Sequence, residues 1–170
     1  MWKTSIRQGK TLCAIGFNAI FMAKVVISYL SKYGNGKRAM EYLGSLLLNK
    51  GHEVEIFSMS ESKSNQLPPS DIYVFSTSVH MGKPPRKARG FVKKFTGGGK
   101  YALVVTHASE PEGHKYSPTQ TVEMMTELLK ESGLTPACEP LLIRVQDMKG
   151  PLENGWEDKV NSLAESIEFS

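Results

Sequence analysis

The sequence predicts a doubly wound α/β fold in which helices cover both faces of a five-stranded parallel sheet. The chain has 170 residues, which is enough for one domain with a buried core. From Lys24 onward, short runs of apolar and β-branched residues alternate with segments of helical periodicity. The first run is apolar almost throughout, as in a parallel strand buried on both faces. Right-handed crossovers between such strands place helices on both sides of the sheet.

Five segments have the composition of strands. They are Lys24–Leu30, His52–Phe57, Asp71–Ser76, Tyr101–Thr106 and Ala137–Val145. In the second segment, Val54 and Ile56 alternate with other residues, which predicts that both point inward from a strand near the sheet edge. Pro140 interrupts the fifth segment, because proline lacks the N–H that a strand ladder needs.

Four helices are predicted because apolar residues recur at intervals of three and four. The first covers Lys37–Asn49, and the second covers Pro85–Phe95. The third is marked by Val122–Leu129, and the fourth runs from Trp156 to Ile167. The polar segment Ser58–Ser70, which contains two prolines, is predicted to be a connection.

The net charge of +4 is unevenly distributed along the chain. Residues 1–23 carry +3, residues 24–109 carry +8 and residues 110–170 carry −7. The densest basic block runs from Lys83 to Lys100, and its members on the second helix are Arg86, Lys87, Arg89, Lys93 and Lys94. A nucleic-acid interface normally adds aromatic or groove-reading elements to such a block. The pattern therefore favours a solvated helix face or a docking surface for an acidic partner over nucleic-acid binding.

Residues 1–23 precede the alternation and are not needed for it. Their basic start and moderately apolar stretch have the outline of a secretory leader, although Gly16 and Asn18 interrupt the stretch. A translation start at Met22 is the favoured interpretation, and an interfacial anchor helix is a third. We expect an extension over residues 1–23, one domain over residues 24–170 and a cytoplasmic protein. No apolar run approaches the ~18 residues of a membrane span.

Patterns for metal binding or nucleophilic catalysis are not found. No His, Cys, Asp and Glu spacing resembles a metal site, and Ser109 lacks a nucleophile elbow. Two cysteines exclude a disulfide scaffold, and Cys138 lies on a predicted strand as a small apolar residue. Met40, Met124 and Met125 follow helical spacing and are predicted to lie in the core.

The loop after the first strand is the first candidate binding site, because ligands of doubly wound sheets lie at the carboxyl ends of strands. It consists of Ser31, Lys32, Tyr33, Gly34, Asn35 and Gly36. Glycine and asparagine permit a tight turn, and the following helix N-terminus offers free N–H groups to an anion. The Ser31 hydroxyl and the Asn35 amide add donors, and Lys32 or Lys37 adds charge. The loop is predicted to cradle a phosphate, with an ordinary βα turn as the alternative.

Two other nucleotide-binding motifs fit this loop poorly. In the pattern GxGxxG, Ala39 stands where the third glycine is required. In the pattern GxxxxGK[ST], Arg38 replaces the hydroxyl that would hold magnesium. The loop therefore indicates neither a Rossmann dinucleotide site nor a P-loop NTPase.

The loop and the alternation that follows it resemble the flavodoxin family. The phosphate loop of that family, S/T-x-T/Y-G-N-T, is similar to SKYGNG here: Ser31, Gly34 and Asn35 match, and Gly36 replaces threonine. The resemblance covers Lys24–Phe169. It implies a flavodoxin-like sheet of order 2-1-3-4-5 and FMN as cofactor, with one phosphate-binding hydroxyl lost. The fifth strand lacks a long insertion, which resembles the short-chain form.

The resemblance also assigns two loops to the flavin ring. The S/T-P-V-Y-x-G loop of related flavoproteins corresponds to Thr77, Ser78, Val79, His80, Met81 and Gly82. His80 stands where an aromatic residue often stacks, and Gly82 permits the peptide flip that bonds the flavin N5 in the family. The loop after the fourth strand would approach the ring from the other side, and it comprises Thr106, His107, Ala108 and Ser109.

The resemblance implies an electron carrier that shuttles electrons between redox partner proteins, because FMN accepts one or two electrons. The basic residues after the third strand predict that full reduction occurs at a less negative potential than in acidic flavodoxins. The basic helix is the expected docking site of the redox partner. Two alternatives stay open. One is a flavin-dependent enzyme resembling quinone reductases or flavodoxin-like protoporphyrinogen oxidases, and the other is a scaffold module without FMN.

Overall fold

The computed structural model describes residues 21–108 and 116–169. The expectations for residues 1–20 and for Ser109 lie outside the described residues. The strands are β1 (Lys24–Tyr29), β2 (Glu53–Ser58), β3 (Ile72–Ser78), β4 (Gly99–His107), β5 (Leu134–Pro136) and β6 (Leu141–Arg144). The helices are α1 (Asn35–Asn49), α2 (Arg86–Lys93), α3 (Thr119–Glu131) and α4 (Trp156–Ser166), with a short 3₁₀ turn at Ser64–Gln66.

The strands form one parallel sheet in the order β2-β1-β3-β4-β5, with β6 also paired to β4. This order confirms the predicted doubly wound topology. Its chain reversal lies between β1 and β3, where the two crossovers leave in opposite directions. The loops at the carboxyl ends of β1 and β3 therefore border the crevice in which ligands of such sheets bind.

Successive residues of the central strands enter two different cores. On β3, Ile72 and Val74 face a core closed by α1 and α4, whereas Tyr73 and Phe75 face a core closed by α2 and α3. All four are at most 3% exposed. Because both faces are covered, these strands are apolar on both sides, which explains the continuous apolar runs in the sequence.

The predicted fifth strand is divided into two segments. The sequence predicted one strand over Ala137–Val145, but the structure places β5 earlier and β6 later, and both pair with β4. The Ala137 N–H still donates to the Tyr101 carbonyl at 2.8 Å, and the ladder is interrupted after it, where Pro140 has no N–H to donate. Only four residues, 137–140, separate the segments, so no long insertion lies there.

The edge strand β2 buries less than the sequence predicted. Val54 packs against the α1 core, but Ile56 is 39% exposed because no strand covers its outer side. Ile56 still contacts α1: a Cβ built on Gly44 would lie 2.9 Å from Ile56 Cδ1. Met40 and Met125 are buried as predicted, whereas Met124 is only half-buried.

Candidate functional site

The loop between β1 and α1 turns at Gly34, which has a left-handed φ of +87°. Ser31 Oγ accepts a hydrogen bond from the Gly34 N–H at 3.1 Å, and the Gly34 carbonyl accepts one from the Arg38 N–H at 2.9 Å. The helix consequently begins at Asn35, two residues before the predicted start at Lys37. Asn35 and Gly36 therefore belong to the first helical turn.

The first turn of α1 offers unpaired N–H groups. The N–H groups at the start of a helix have no carbonyl acceptor within it. No side chain caps this end, and no acidic residue lies in its first turn. Ser31, whose oxygen accepts from Gly34, retains its own hydroxyl proton for donation. The positive end of the helix dipole adds to these donors, so the turn is suited to an anion.

A small polar space lies beside Gly36 in the first turn. A Cβ built on Gly36 would lie 3.6 Å from the hydroxyl oxygens of both Ser31 and Ser76, which is ordinary van der Waals contact. Ser76 is 0% exposed, and its hydroxyl has no hydrogen-bond partner among the described residues. Buried hydroxyls are normally hydrogen-bonded, so the Ser76 hydroxyl is an exception beneath the loop. The free N–H groups of the first turn and the Ser31 hydroxyl fit a phosphate group.

Ser76 was not predicted as part of the site, because it lies inside a strand by sequence pattern. The turn after β6 was also missed. A Cβ built on Gly150 would lie 2.7 Å from Asn35 Oδ1, so the backbone of this turn lies directly against the Asn35 side chain. The available signal was the Gly150–Pro151 pair just beyond the last strand, at the edge where ligands bind.

Three basic side chains lie in or next to the loop between β1 and α1, and each makes an intramolecular contact. Lys37 lies 3.7 Å from Glu41, the Lys32 ammonium lies 5.1 Å from the centre of the Tyr33 ring, and Arg38 lies over Trp156 at 5.5 Å. All three basic residues are exposed. Their charges raise the local potential but are screened by solvent.

The loop after β3 ends in a tight turn. His80 and Lys83 exchange two backbone hydrogen bonds of 2.8 and 3.1 Å across Met81 and Gly82. The turn residues have φ values of +52° and +77°, and Met81 is the one non-glycine residue with positive φ in the described parts of the chain. His80 and Met81 are exposed at the tip. The turn thus presents the His80 and Met81 side chains to solvent beside the sheet edge, whereas Gly82 is buried.

Buried hydroxyl groups hold this loop from below. Thr121 at the start of α3 is 0% exposed and donates to the Gly82 carbonyl at 3.1 Å. Thr77 is also fully buried and donates to the Ser78 carbonyl at 3.3 Å. The orientation of the Gly82 carbonyl is therefore set by α3, a contact that the sequence did not predict.

The loop after β4 is described as far as Ala108, which is exposed. Thr106 is buried, and the half-buried His107 accepts a hydrogen bond through its carbonyl from the Val145 N–H at 2.7 Å. Glu153 lies near this strand end, where its carboxylate accepts a hydrogen bond from the N–H of Arg144, the residue paired with His107. Burial alone would raise the pKa of Glu153, but the bonds from Lys159 and the Arg144 N–H, together with the charges of Lys159 and His107, outweigh burial and lower it.

Two backbone hydrogen bonds bring the loops to one edge. The Leu30 N–H donates to the Ser76 carbonyl at 2.9 Å, and the Val79 N–H donates to the Thr106 carbonyl at 3.1 Å. The segments Ser31–Gly36, Thr77–Gly82 and Thr106–Ala108 thus lie along the carboxyl edge of the sheet.

Within residues 21–108 and 116–169, no group of three or more His, Cys, Asp or Glu is placed to hold a metal ion. No helix in those ranges has the length and apolarity to cross a bilayer.

Comparison with known proteins finds similarity in structure. No protein-family model and no curated protein sequence matches the chain. Flavodoxin 2 of Bacillus cereus superposes with a TM-score of 0.70 at 22% identity, over 85% of this chain and 97% of that one. Flavodoxin 1 of the same organism gives 0.68 at 17% identity, over 84% and 95%. An FMN-bound flavodoxin of Fusobacterium nucleatum gives 0.58 at 9% identity, over 86% and 100%.

The chain has the flavodoxin-like fold. At identities of 9–22%, the likeness to these structures is one of fold. In doubly wound sheets the carboxyl edge at the reversal of strand order is the ligand crevice, and here that edge carries the β1–α1 loop and the loops after β3 and β4. Because the similarity to these structures is limited to the fold, what the crevice can bind has to follow from the geometry of the loop between β1 and α1.

Proposed function

We propose that the protein binds FMN and transfers electrons between redox partner proteins. The observation that carries the proposal is the phosphate loop, in which the left-handed Gly34, the uncapped first turn of α1 and the unpaired hydroxyl of Ser76 meet beside the β1/β3 reversal. The structural neighbours support it, since they are flavodoxins and one of them is bound to FMN.

The FMN phosphate would be held by Ser31–Gly36 and the flavin ring by Thr77–Gly82 and Thr106–Ser109. When bound, FMN supplies one- and two-electron chemistry. The main-chain donors of the first helical turn neutralise part of the phosphate charge without a metal ion. Gly36 lacks the side-chain hydroxyl found at this position in the flavodoxin motif, so its backbone N–H is the donor that it offers to the phosphate.

The turn at Met81 and Gly82 is the proposed contact with the flavin N5. Its backbone requires positive φ at both residues, which glycine adopts freely and methionine only with strain. The hydrogen bond from Thr121 stabilises the present direction of the Gly82 carbonyl. Reorienting this carbonyl breaks that bond, so Thr121 acts as a positioning residue for the loop.

The test of FMN binding compares FMN with riboflavin, which has the same ring but no phosphate. The purified protein is expected to turn yellow with FMN and to quench its fluorescence, and riboflavin is expected to bind at least about tenfold more weakly. Equal affinity for both ligands would contradict the phosphate assignment. A protein that stays colourless and does not bind added FMN would support the alternative of a scaffold module without FMN.

Two glycine variants provide a matched pair for this test. Gly34 and Gly133 have φ values of +87° and +84°, and a Cβ on either would meet no atom within 4 Å. Gly34→Ala and Gly133→Ala therefore introduce the same backbone strain, one in the phosphate loop and one after α3. We expect only Gly34→Ala to weaken FMN binding.

Steady-state turnover of a quinone or porphyrinogen by the isolated protein would favour the enzyme over the carrier.

A further inference from the structure

A groove of about 610 Å³ lies between α2 and the connection that follows β2. Met59 and Phe91, which are only 2% and 6% exposed, form its floor, and the side chains of Lys63, Lys87 and Lys94 form its walls. Lys87 is held in place by a hydrogen bond of 3.2 Å from its ammonium to the Ser60 carbonyl. The groove therefore combines an apolar surface with three cations and contains no Asp or Glu among its lining residues.

The charges of this groove are not neutralised within the described structure. Among residues 21–108 and 116–169, five ion pairs are formed, and none of them involves Lys63, Lys87 or Lys94. No acidic residue occurs in the sequence between Asp71 and Glu110. The nearest acidic residue along the connection is the exposed Glu61, outside the groove lining. An anionic occupant would therefore meet three unpaired cations together.

Gly90 leaves the α2 backbone open to the groove. It lies in the middle of this eight-residue helix and lines the groove. Glycine is among the least favourable residues inside a helix. A Cβ at this position would meet no atom within 4 Å, and its φ is not in the left-handed region, so neither packing nor backbone conformation requires glycine here. The missing side chain allows a partner to approach the helix backbone closely.

We propose that this groove docks an acidic segment of the redox partner, in which carboxylates alternate with apolar side chains. The carboxylates pair with Lys63, Lys87 and Lys94, and the apolar side chains pack on the methylene stems of these lysines and on the open helix surface at Gly90. The groove offers no exposed aromatic ring on which a nucleic-acid base could stack, since Phe91 is only 6% exposed. The helix begins four residues after Gly82, so a protein docked here lies beside the proposed flavin loop. The inference rests on the proposed electron-transfer function.

The test uses a short labelled peptide in which glutamate and leucine alternate, with fluorescence anisotropy as the readout. Lys94→Glu and Lys93→Glu form a matched pair, because the residues are adjacent and exposed and only Lys94 lines the groove. We expect Lys94→Glu to weaken peptide binding about tenfold and Lys93→Glu to weaken it less than about threefold. Gly90→Leu fills the groove without changing charge and is expected to abolish binding while the thermal melting temperature stays at or above that of the wild type.

Three results would overturn the proposal. The first is equal loss of binding in Lys94→Glu and Lys93→Glu, which would indicate diffuse charge attraction. The second is equal binding of the alternating peptide and of polyglutamate, which would show that the apolar surface is not used. The third is tighter binding of single-stranded DNA or of phosphatidylglycerol vesicles than of the peptide. FMN binding is measured on the same samples, so a protein that binds FMN but not the peptide contradicts this inference and leaves the proposed function intact.

Discussion

Gly36 stands where the resembling flavodoxin motif has threonine, and the space beside it is the most informative feature at the scale of one residue. The Ser31 and Ser76 hydroxyls border the space at 3.6 Å from a built Cβ. Its φ is not in the left-handed region, so the position accepts a side chain without backbone strain. Substitution there can therefore separate the effect of a hydroxyl from that of added bulk.

We expect Gly36→Ser to bind FMN more tightly than Gly36→Ala, by about three- to tenfold, because serine restores a donor to the phosphate. Alanine adds the same Cβ without a hydroxyl and is the matched control. Riboflavin affinity should be the same in both variants. FMN and riboflavin titrations of the two proteins measure this, and a serine variant no better than alanine would place the phosphate elsewhere.

His52 is a second residue with a specific expectation. Its Nδ1 accepts a hydrogen bond from the Ala23 N–H at 3.2 Å, and its ring stacks on Phe169 at 4.1 Å. Burial, and then the charge of Lys50, lower the pKa of His52 below its usual 6.5. The unfolded chain therefore binds a proton at a higher pH than the folded protein does, and folding is favoured at pH values above 6.5.

The contribution of His52 to stability is expected to disappear as pH falls below about 6.5 and through the lower pKa of the folded state. His52→Asn keeps an acceptor near the position of Nδ1 but does not titrate. The measurement is the free energy of unfolding in urea at about pH 7.5 and about pH 5.5 in both proteins. The variant should lose less stability on acidification, and an equal loss in both would contradict the assignment.

At the scale of elements, helix α1 shows how periodicity in the sequence becomes packing. Leu47 is 0% exposed in the core between the sheet and α4, whereas the next residue, Leu48, is 56% exposed. We expect Leu47→Ala to lower the free energy of unfolding by about 2–5 kcal/mol, because it leaves a cavity. Leu48→Ala should change it by less than about 0.5 kcal/mol. Urea unfolding of both variants tests this, and similar values would contradict the packing.

Elements also show where sequence patterns stop being sufficient. The helical face of α2 and the buried faces of β3 follow from spacing alone, because periods of 3.6 and 2 reflect local backbone geometry. The division of the fifth strand into β5 and β6 does not. Pro140 signals an interruption, but which residues pair with β4 on either side depends on how the chain from α3 reaches the sheet.

For the whole molecule, the charge distribution is the property with a functional consequence. The basic part of the chain includes Lys83, Arg86 and Lys87, all exposed and all following the β3 loop. Positive charge near a flavin held at the proposed site would favour the added electrons. The two-electron midpoint potential of the FMN-loaded protein should therefore be less negative than that of flavodoxins with acidic surroundings. A very low potential for full reduction would contradict this.

Charge reversal of Lys87 to glutamate is expected to lower the two-electron midpoint potential by roughly 10–20 mV, as for screened surface charges. Lys130→Glu is the control, because Lys130 lies in the last turn of α3 beside the opposite edge of the sheet. Lys130→Glu should shift the potential by only about a few millivolts, because salt screens a charge at that distance from the proposed flavin site. Redox titration of the two FMN-loaded variants at one ionic strength measures the difference. Equal shifts in both variants would contradict a local effect of the Lys87 charge on the potential.

The sequence by itself determined the fold class, the order of elements and the loop SKYGNG as the candidate phosphate site. Those features depend on local periodicity and on residues adjacent in the chain. Only the tertiary structure decided that Ser76 lies beside Gly36, that Thr121 holds the carbonyl of Gly82 across 39 residues of chain, and that Gly150 lies against Asn35. Such contacts join distant segments, and their geometry follows from how helices and crossovers pack on the sheet, which no local pattern specifies.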